Sequence, residues 1–253
     1  VQKKFMQRNN EGASMKLDVL AIAAHPDDVE LTCGGTLIAM AKRGYKTGVL
    51  DLTAGEMGTR GTVETRAKEA ATAAKFMGLS YRGILGVPDS DVQASQQHKL
   101  RLAEKIRELR PRTVIIPYWE ARHPDHYNAS TLGYEGCFLA GLKNLPALGE
   151  AYRPHKILYS TAFAQHLRPS FVVDITPHYE RRRKAILSYG SQFRPRKGEA
   201  KSKVYLGLEQ LEDEMNRLAR YYGHMIDVQY GEPFLIKELI KVDDIVDMPV
   251  RSV

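Results

Sequence analysis

AIAAHPDDVELTCGG, residues 21–35, governs how the rest of the chain is read. It continues an apolar run, VLAIAA (19–24), that ends on a histidine, a proline and two adjacent aspartates and then resumes as a glycine-bearing apolar segment. A short unbroken run of this kind reads as a strand buried on both faces of a parallel sheet. Three ionisable groups at the mouth of such a strand are costly to bury unless a partner or a cation holds them.

The pattern repeats downstream. Leu37, Met40 and Ala41 lie at helical spacing in 31–43, which stops before Gly44, and TGVLDLT (47–53) reads as a second strand. Residues 63–77 form a helix with Ala67, Ala70, Ala74 and Met77 on one face, and GILGV (83–87) is a third strand. The helix 98–109 presents Leu102, Ile106 and Leu109 to the core and ends before Pro111; TVIIP (113–117) is the fourth strand. Alternating strands and helices of this kind imply right-handed crossovers. The expected fold class is α/β, a Rossmann-like, mostly parallel open sheet with helices on both faces.

The second half is less regular. KILYSTAF (156–163) and FVVDI (171–175) read as strands, 177–189 as a basic helix, and 204–222 as a helix striped by Leu208, Leu211, Met215, Leu218 and Tyr222. Between those helices, 190–203 is rich in Gly, Pro, Ser and Lys and is expected as a mobile loop, with a lid as its suggested use. Residues 1–14 are polar and read as a disordered leader, with Met15 a natural start and 15–253 a single domain.

Of the 253 residues, 43% are hydrophobic and 26% charged, ordinary for a soluble globular protein. No apolar run approaches the roughly 20 residues of a membrane span, so no membrane partner is expected. Two cysteines, Cys33 and Cys137, give neither a disulfide framework nor a CxxC site. They point to a cytoplasmic location, with Cys33 packed as a small hydrophobe. The net charge of +7 is concentrated partly in RRRK (181–184) and RPRKGEAKSK (194–203), without the aromatic interleaving or module motifs of a nucleic-acid binder. RRRK reads as a solvated helix face or a subunit contact.

Ligands of open α/β sheets bind beyond the carboxyl ends of the strands. HPDD (25–28), TAGEMGTRGT (53–62) and YWEARHPDH (118–126) each follow a strand, so one crevice is expected to gather all three. A catalytic zinc site takes three His/Asp/Glu ligands and leaves a fourth position for water. His25 and Asp28, three apart, can aim at one point, His126 can close the set, and Asp27 is left beside the water where a general base belongs. The bland alternative, acidic residues at helix starts with Asp125 as a cap, fits either motif alone, and both motifs after strands in one chain are a much sharper signal. Gly55, Gly58 and Gly61 do not make GxGxxG, which argues against a nicotinamide cofactor. Trp119, the single tryptophan, is expected in the core or an interface, with stacking on a sugar as the alternative.

AHPDDVE (24–30), LTAGEMGTRGTVETRAKEA (52–70) and HPDH (123–126) together resemble the LmbE-like, or PIG-L, zinc N-acetylglucosaminyl deacetylases, over roughly residues 17–225. The resemblance implies that His25, Asp28 and His126 bind Zn2+, that Asp27 is the general base, and that His123, oriented by Asp125, serves as charged partner or acid for the leaving amine. It further implies substrate contacts for Arg66 and Arg122, whose guanidinium forks suit a carboxylate or sugar hydroxyls, and a substrate or oxyanion role for Tyr205. The motif YGSQF (189–193) and the length look most like the bacillithiol branch, which deacetylates N-acetylglucosaminyl-malate. The implied partner is thus a small N-acetylated amino-sugar conjugate. Other N-acyl sugars, such as GlcNAc-inositol, chito-oligosaccharide, antibiotic or lipid-linked sugars, are the alternatives, and a non-catalytic sugar-binding protein is the rival from another class. Nitrogen and oxygen donors also accept Fe2+. The family tendency implies a homo-oligomer, a trimer or hexamer.

Overall fold

The run that opens with Val19 forms β1 (Val19–Ala23), buried at all five positions. In the computed structural model, which describes residues 15–164, 167–194, 207–248 and 250, β1 pairs in parallel with β2 (Thr47–Asp51) on one side and β4 (Thr113–Pro117) on the other. Its side chains divide by the two-residue period of the pleat. Leu20 and Ile22 enter one core with Leu102, Ile106 and Leu132, while Val19, Ala21 and Ala23 enter the other with Leu37, Ile38, Ala73 and Met77. Both faces are covered, as the unbroken apolar run requires.

β3 (Tyr81–Ile84) extends the sheet beyond β2, and β5 (Lys156–Ser160) beyond β4, all in parallel. Two antiparallel strands complete it, β6 (Phe171–Asp174) and β7 (Gly231–Leu235), giving seven strands in the order β3-β2-β1-β4-β5-β7-β6. The mostly parallel α/β sheet is the expected fold. One core packs under α4 (Gln96–Leu109) and α5 (Pro124–Ala140); the other lies under α2 (Gly34–Lys42), α3 (Val63–Met77), α6 (Tyr179–Ile186) and α8 (Leu208–His224). Among the described residues no helix is long and apolar enough to cross a membrane.

Several elements differ from their sequence expectation. The helix expected over 31–43 is two, α1 (Asp28–Thr32) and α2, broken at Cys33. The break frees the amides of Gly35 and Thr36 to donate to the Glu232 carboxylate at 2.8 and 2.7 Å. An anion thus closes the positive end of α2. Glu232 lies on β7, a strand the sequence pattern hid behind a glutamate and a proline in GEPFL. The third strand lies two residues earlier than expected, at Tyr81–Ile84. The basic helix is a 3-10 turn (Thr176–His178) followed by α6, and a separate short helix α7 (Gly190–Phe193) occupies the start of the segment expected as a loop. RRRK is not wholly a solvated face, because Arg182 is buried and its Nε lies 3.0 Å from Glu232 Oε1. The leader at 1–14, most of the 190–203 loop and Tyr205 lie outside the described residues.

Candidate active site

From β1 the sheet runs one way to β2 and β3 and the other way to β4 and β5, so the strand order reverses between β1 and β4. A crevice opens beyond the carboxyl ends of strands at such a point. HPDD leaves β1 and HPDH begins α5 after β4, so topology alone brings the two motifs face to face.

The convergence is close. His25 Nδ1 lies 3.6 Å from Asp28 Oδ2, and Asp28 Oδ1 lies 3.3 Å from His126 Nε2. One donor atom from each of His25, Asp28 and His126 falls within 4.8 Å of the others. The far side of the His25 ring is also engaged, with Nε2 at 3.1 Å from Asp89 Oδ1 and 3.2 Å from Asp125 Oδ2. Burial opposes a charge on His25, but Asp28 and Asp89 outweigh it and raise its pKa to about 11. Burial likewise opposes ionisation of Asp28, yet His126 and His25 hold its carboxyl well below the usual range. Two imidazoles and a carboxylate converging on one point are a donor set that fits a divalent cation. His25, His123 and Asp125 also come within 4.8 Å. In that second set His123 Nδ1 accepts the Asp125 amide, and Asp125 Oδ2 accepts the Ser90 amide. The first set therefore makes the better cradle, with Asp89 and Asp125 orienting His25 from behind as carboxylates do for metal-binding imidazoles.

Asp27 stands between the two cradle residues of HPDD at φ 110° and ψ −27°, a region that non-glycine residues rarely adopt. It is 3% exposed, and its Oδ2 accepts no hydrogen bond among the described residues. The nearest cation is Arg66, Nη2 at 3.6 Å. Burial pushes the Asp27 carboxyl up to about 8 against the pull of Arg66. A buried, backbone-strained carboxylate with an oxygen held in reserve is a feature that clusters at functional sites.

Residues 20–136 match the family model PIG-L, described as GlcNAc-PI de-N-acetylase. Diacetylchitobiose deacetylase of Thermococcus kodakarensis is 30% identical over 226 residues, 85% of this chain and 80% of that protein. The chain belongs to the PIG-L family. Probable N-acetyl-alpha-D-glucosaminyl L-malate deacetylase 2 of Bacillus anthracis is 26% identical, covering 79% of this chain and 92% of that one. Among solved structures, the conserved protein TT1542 of Thermus thermophilus superposes with a TM-score of 0.80 at 40% identity, covering 90% of this chain and 98% of that one.

Within this PIG-L chain, three sequence expectations need correction or fall away. Arg66, expected at the substrate, is 2% exposed; its Nη2 donates to Pro26 O at 2.7 Å and its Nη1 to Gly55 O at 3.1 Å. It braces the HPDD turn from beneath, and Gly55, at φ +69°, is the residue that lets it in: a Cβ there would sit 2.0 Å from Nη1. Asp125, expected to orient His123, turns its carboxylate to His25 instead. His123 caps α5 by accepting the Asp125 amide on Nδ1, so that nitrogen carries a lone pair, and burial lowers the ring's pKa. Tyr205 is outside the described residues. Arg122 is exposed at the rim and has no hydrogen bond or ion pair among the described residues. Trp119 packs at the edge of the core, 4.9 Å from the Tyr159 ring with Lys237 Nζ 4.5 Å over its face. Sequence reasoning missed Asp89 altogether. Its signal was VPDSD (87–91), acidic residues at the carboxyl end of a third strand of the same sheet.

Proposed function

We propose that this PIG-L enzyme is a zinc-dependent hydrolase that removes the acetyl group from the nitrogen of an N-acetylglucosamine conjugate. The observation that carries the proposal is the meeting of His25, Asp28 and His126 within 4.8 Å next to buried Asp27, whose Oδ2 accepts no hydrogen bond among the described residues. His25, Asp28 and His126 would hold the metal. When bound there, a divalent ion supplies Lewis acidity, polarising the acetyl carbonyl and lowering the pKa of water toward about 7.

The chain's own residues supply the proton path. Asp27 Oδ2 accepts the proton of the water that attacks the acetyl carbon. His123 serves as a neutral donor: with Nδ1 occupied by the Asp125 amide, its proton resides on Nε2, which can hydrogen-bond to the developing oxyanion but has no second proton to give. The proton taken up by Asp27 then returns to the sugar nitrogen as the C–N bond breaks, and acetate and a free amine leave. Asp89 and Asp125 keep the His25 ring in place throughout.

For the aglycone, two observations support a second sugar, as in diacetylchitobiose, over the malate conjugate that the sequence pattern suggested. Arg66, one of the two guanidinium groups set aside for a substrate carboxylate, is committed to Pro26 and Gly55. Of these two relatives the diacetylchitobiose enzyme has the higher identity, 30% against 26%, and matches more of this chain, 85% against 79%. Acetate release by the zinc-loaded protein from N-acetylglucosamine, diacetylchitobiose, GlcNAc-malate and GlcNAc-inositol, with and without chelator, tests both levels. Chelator-sensitive release, greatest from diacetylchitobiose, is expected. Release from none of them would overturn the deacetylase reading, and preference for GlcNAc-malate would overturn only the choice of aglycone.

A further inference from the structure

The motif YGSQF (189–193) lies far along the chain from HPDD, and its side chains are tied to three separate pieces of the site's support. The Tyr189 hydroxyl donates to Glu30 Oε1 at 3.0 Å, two residues after Asp28. Ser191 gives both its amide and its hydroxyl to the Glu69 carboxylate, each at 2.7 Å, and Glu69 lies on α3 one turn after Arg66. Gln192 exchanges a reciprocal pair with Arg60 in the glycine-bearing loop 53–62: Gln192 Nε2 donates to Arg60 O at 2.8 Å, and Arg60 Nη1 donates to Gln192 O at 3.0 Å. The fit is tight enough to dictate Gly61. That residue sits at φ +75°, and a Cβ on it would lie 2.7 Å from Ser191 Oγ.

These three attachments have one destination. Loop 53–62 carries Gly55, whose carbonyl receives Arg66 Nη1; α3 carries Arg66 itself; and Glu30 belongs to the helix that begins at Asp28. Arg66 in turn holds Pro26 O and stands 3.6 Å from Asp27 Oδ2. Tyr189 and Gln192 are 0% exposed, so neither can meet a substrate in solution. We propose that Tyr189, Ser191 and Gln192 are positioning residues, a clamp that sets loop 53–62 and Arg66 so that the strained Asp27 carboxylate is held at the reacting centre. The inference rests on the deacetylase reading for its catalytic meaning. A buried amide whose Nε2 donates both to Arg60 O and to Ser191 Oγ is a rigid support of the kind a reactive geometry needs, and displacement of a catalytic group by about 1 Å lowers rate about 10²-fold.

Gln192→Ala removes the amide that holds Arg60 O without touching His25, Asp28 or His126. Hydrogen exchange in metal-loaded protein should accelerate about tenfold or more at the amides of 53–62 and stay unchanged in β1 and β4, while zinc affinity is retained. With diacetylchitobiose, kcat should fall about 10- to 100-fold with KM within about twofold. Ser191→Ala, which keeps the amide bond to Glu69, should show the same pattern at smaller size and serves if Gln192→Ala does not fold. Unchanged loop exchange together with unchanged kcat, or a uniform rise in exchange with kcat per folded molecule intact, would overturn the clamp. Exchange reads it without any substrate, so an inactive wild type would count against the deacetylase reading and leave this measurement to decide separately.

Discussion

Asp27 combines features that rarely meet in one residue: a positive φ, near-complete burial and an oxygen without a hydrogen bond among the described residues. Backbone strain of this kind is worth about 1–3 kcal/mol and persists only where the surroundings over-determine it, which Arg66 does here from Pro26 O. Asp27→Asn keeps the shape and tolerates the same backbone, but removes the proton acceptor. Deacetylation should fall by about 10²–10⁴ in kcat while the purified protein still binds one zinc per chain, measured by metal analysis. Loss of metal along with activity would move Asp27 from proton acceptor to ligand. His25, Asp27 and Asp28 were legible because each lies within five positions of the end of β1, and His126 because HPDH follows a recognisable strand as HPDD does. Asp89, and the real partner of Asp125, were not. Both depend on which side of the His25 ring faces which loop, and no spacing along the chain encodes that.

α3, read from its apolar face, and β4, read from its continuous apolar run, fall at their expected bounds. The departures share a cause. The α1–α2 break and β7 are stabilised by contacts between distant segments, Gly35 and Thr36 with Glu232, and local pattern carries no trace of these. β3 is a further case, because at this sheet edge Arg82 bonds Asp51 Oδ2 at 3.0 Å and pairs closely with Glu30. Two carboxylates buried to within 1% of complete exclusion share that one guanidinium. Burial raises the Asp51 carboxyl to about 6 despite Arg82. Arg82→Leu would leave both acids buried without their cation and should destabilise the protein by about 3–5 kcal/mol, read as a lower denaturant midpoint. A loss under about 1 kcal/mol would show that the acids escape to water or are protonated at little cost.

Both thiols are sealed in the two cores, Cys137 on one face of the sheet and Cys33 on the other. Burial raises Cys137 to about 12 and raises Cys33 as well. A raised acid pKa favours the neutral form in the folded state. The resulting stability is complete below the ordinary thiol value near 9 and is lost as pH rises from there through about 12. Native protein at pH 8 should therefore leave both thiols unreactive toward a disulfide reagent, with both labelled on unfolding; prompt labelling of either in the native state would contradict the sealed cores. The order of the strands reaches further, into how the molecule is made. β6 leaves the ribosome well before β7, yet β7 is its neighbour in the sheet and the bridge that joins it to β5. During synthesis the parallel half can assemble from β1 to β5 while β6 waits with an unpaired edge, the kind of exposed strand that nascent chains entrust to chaperones. β7 thus also delivers Glu232 to α2, so the second helix after HPDD receives its cap only once β7 has been made.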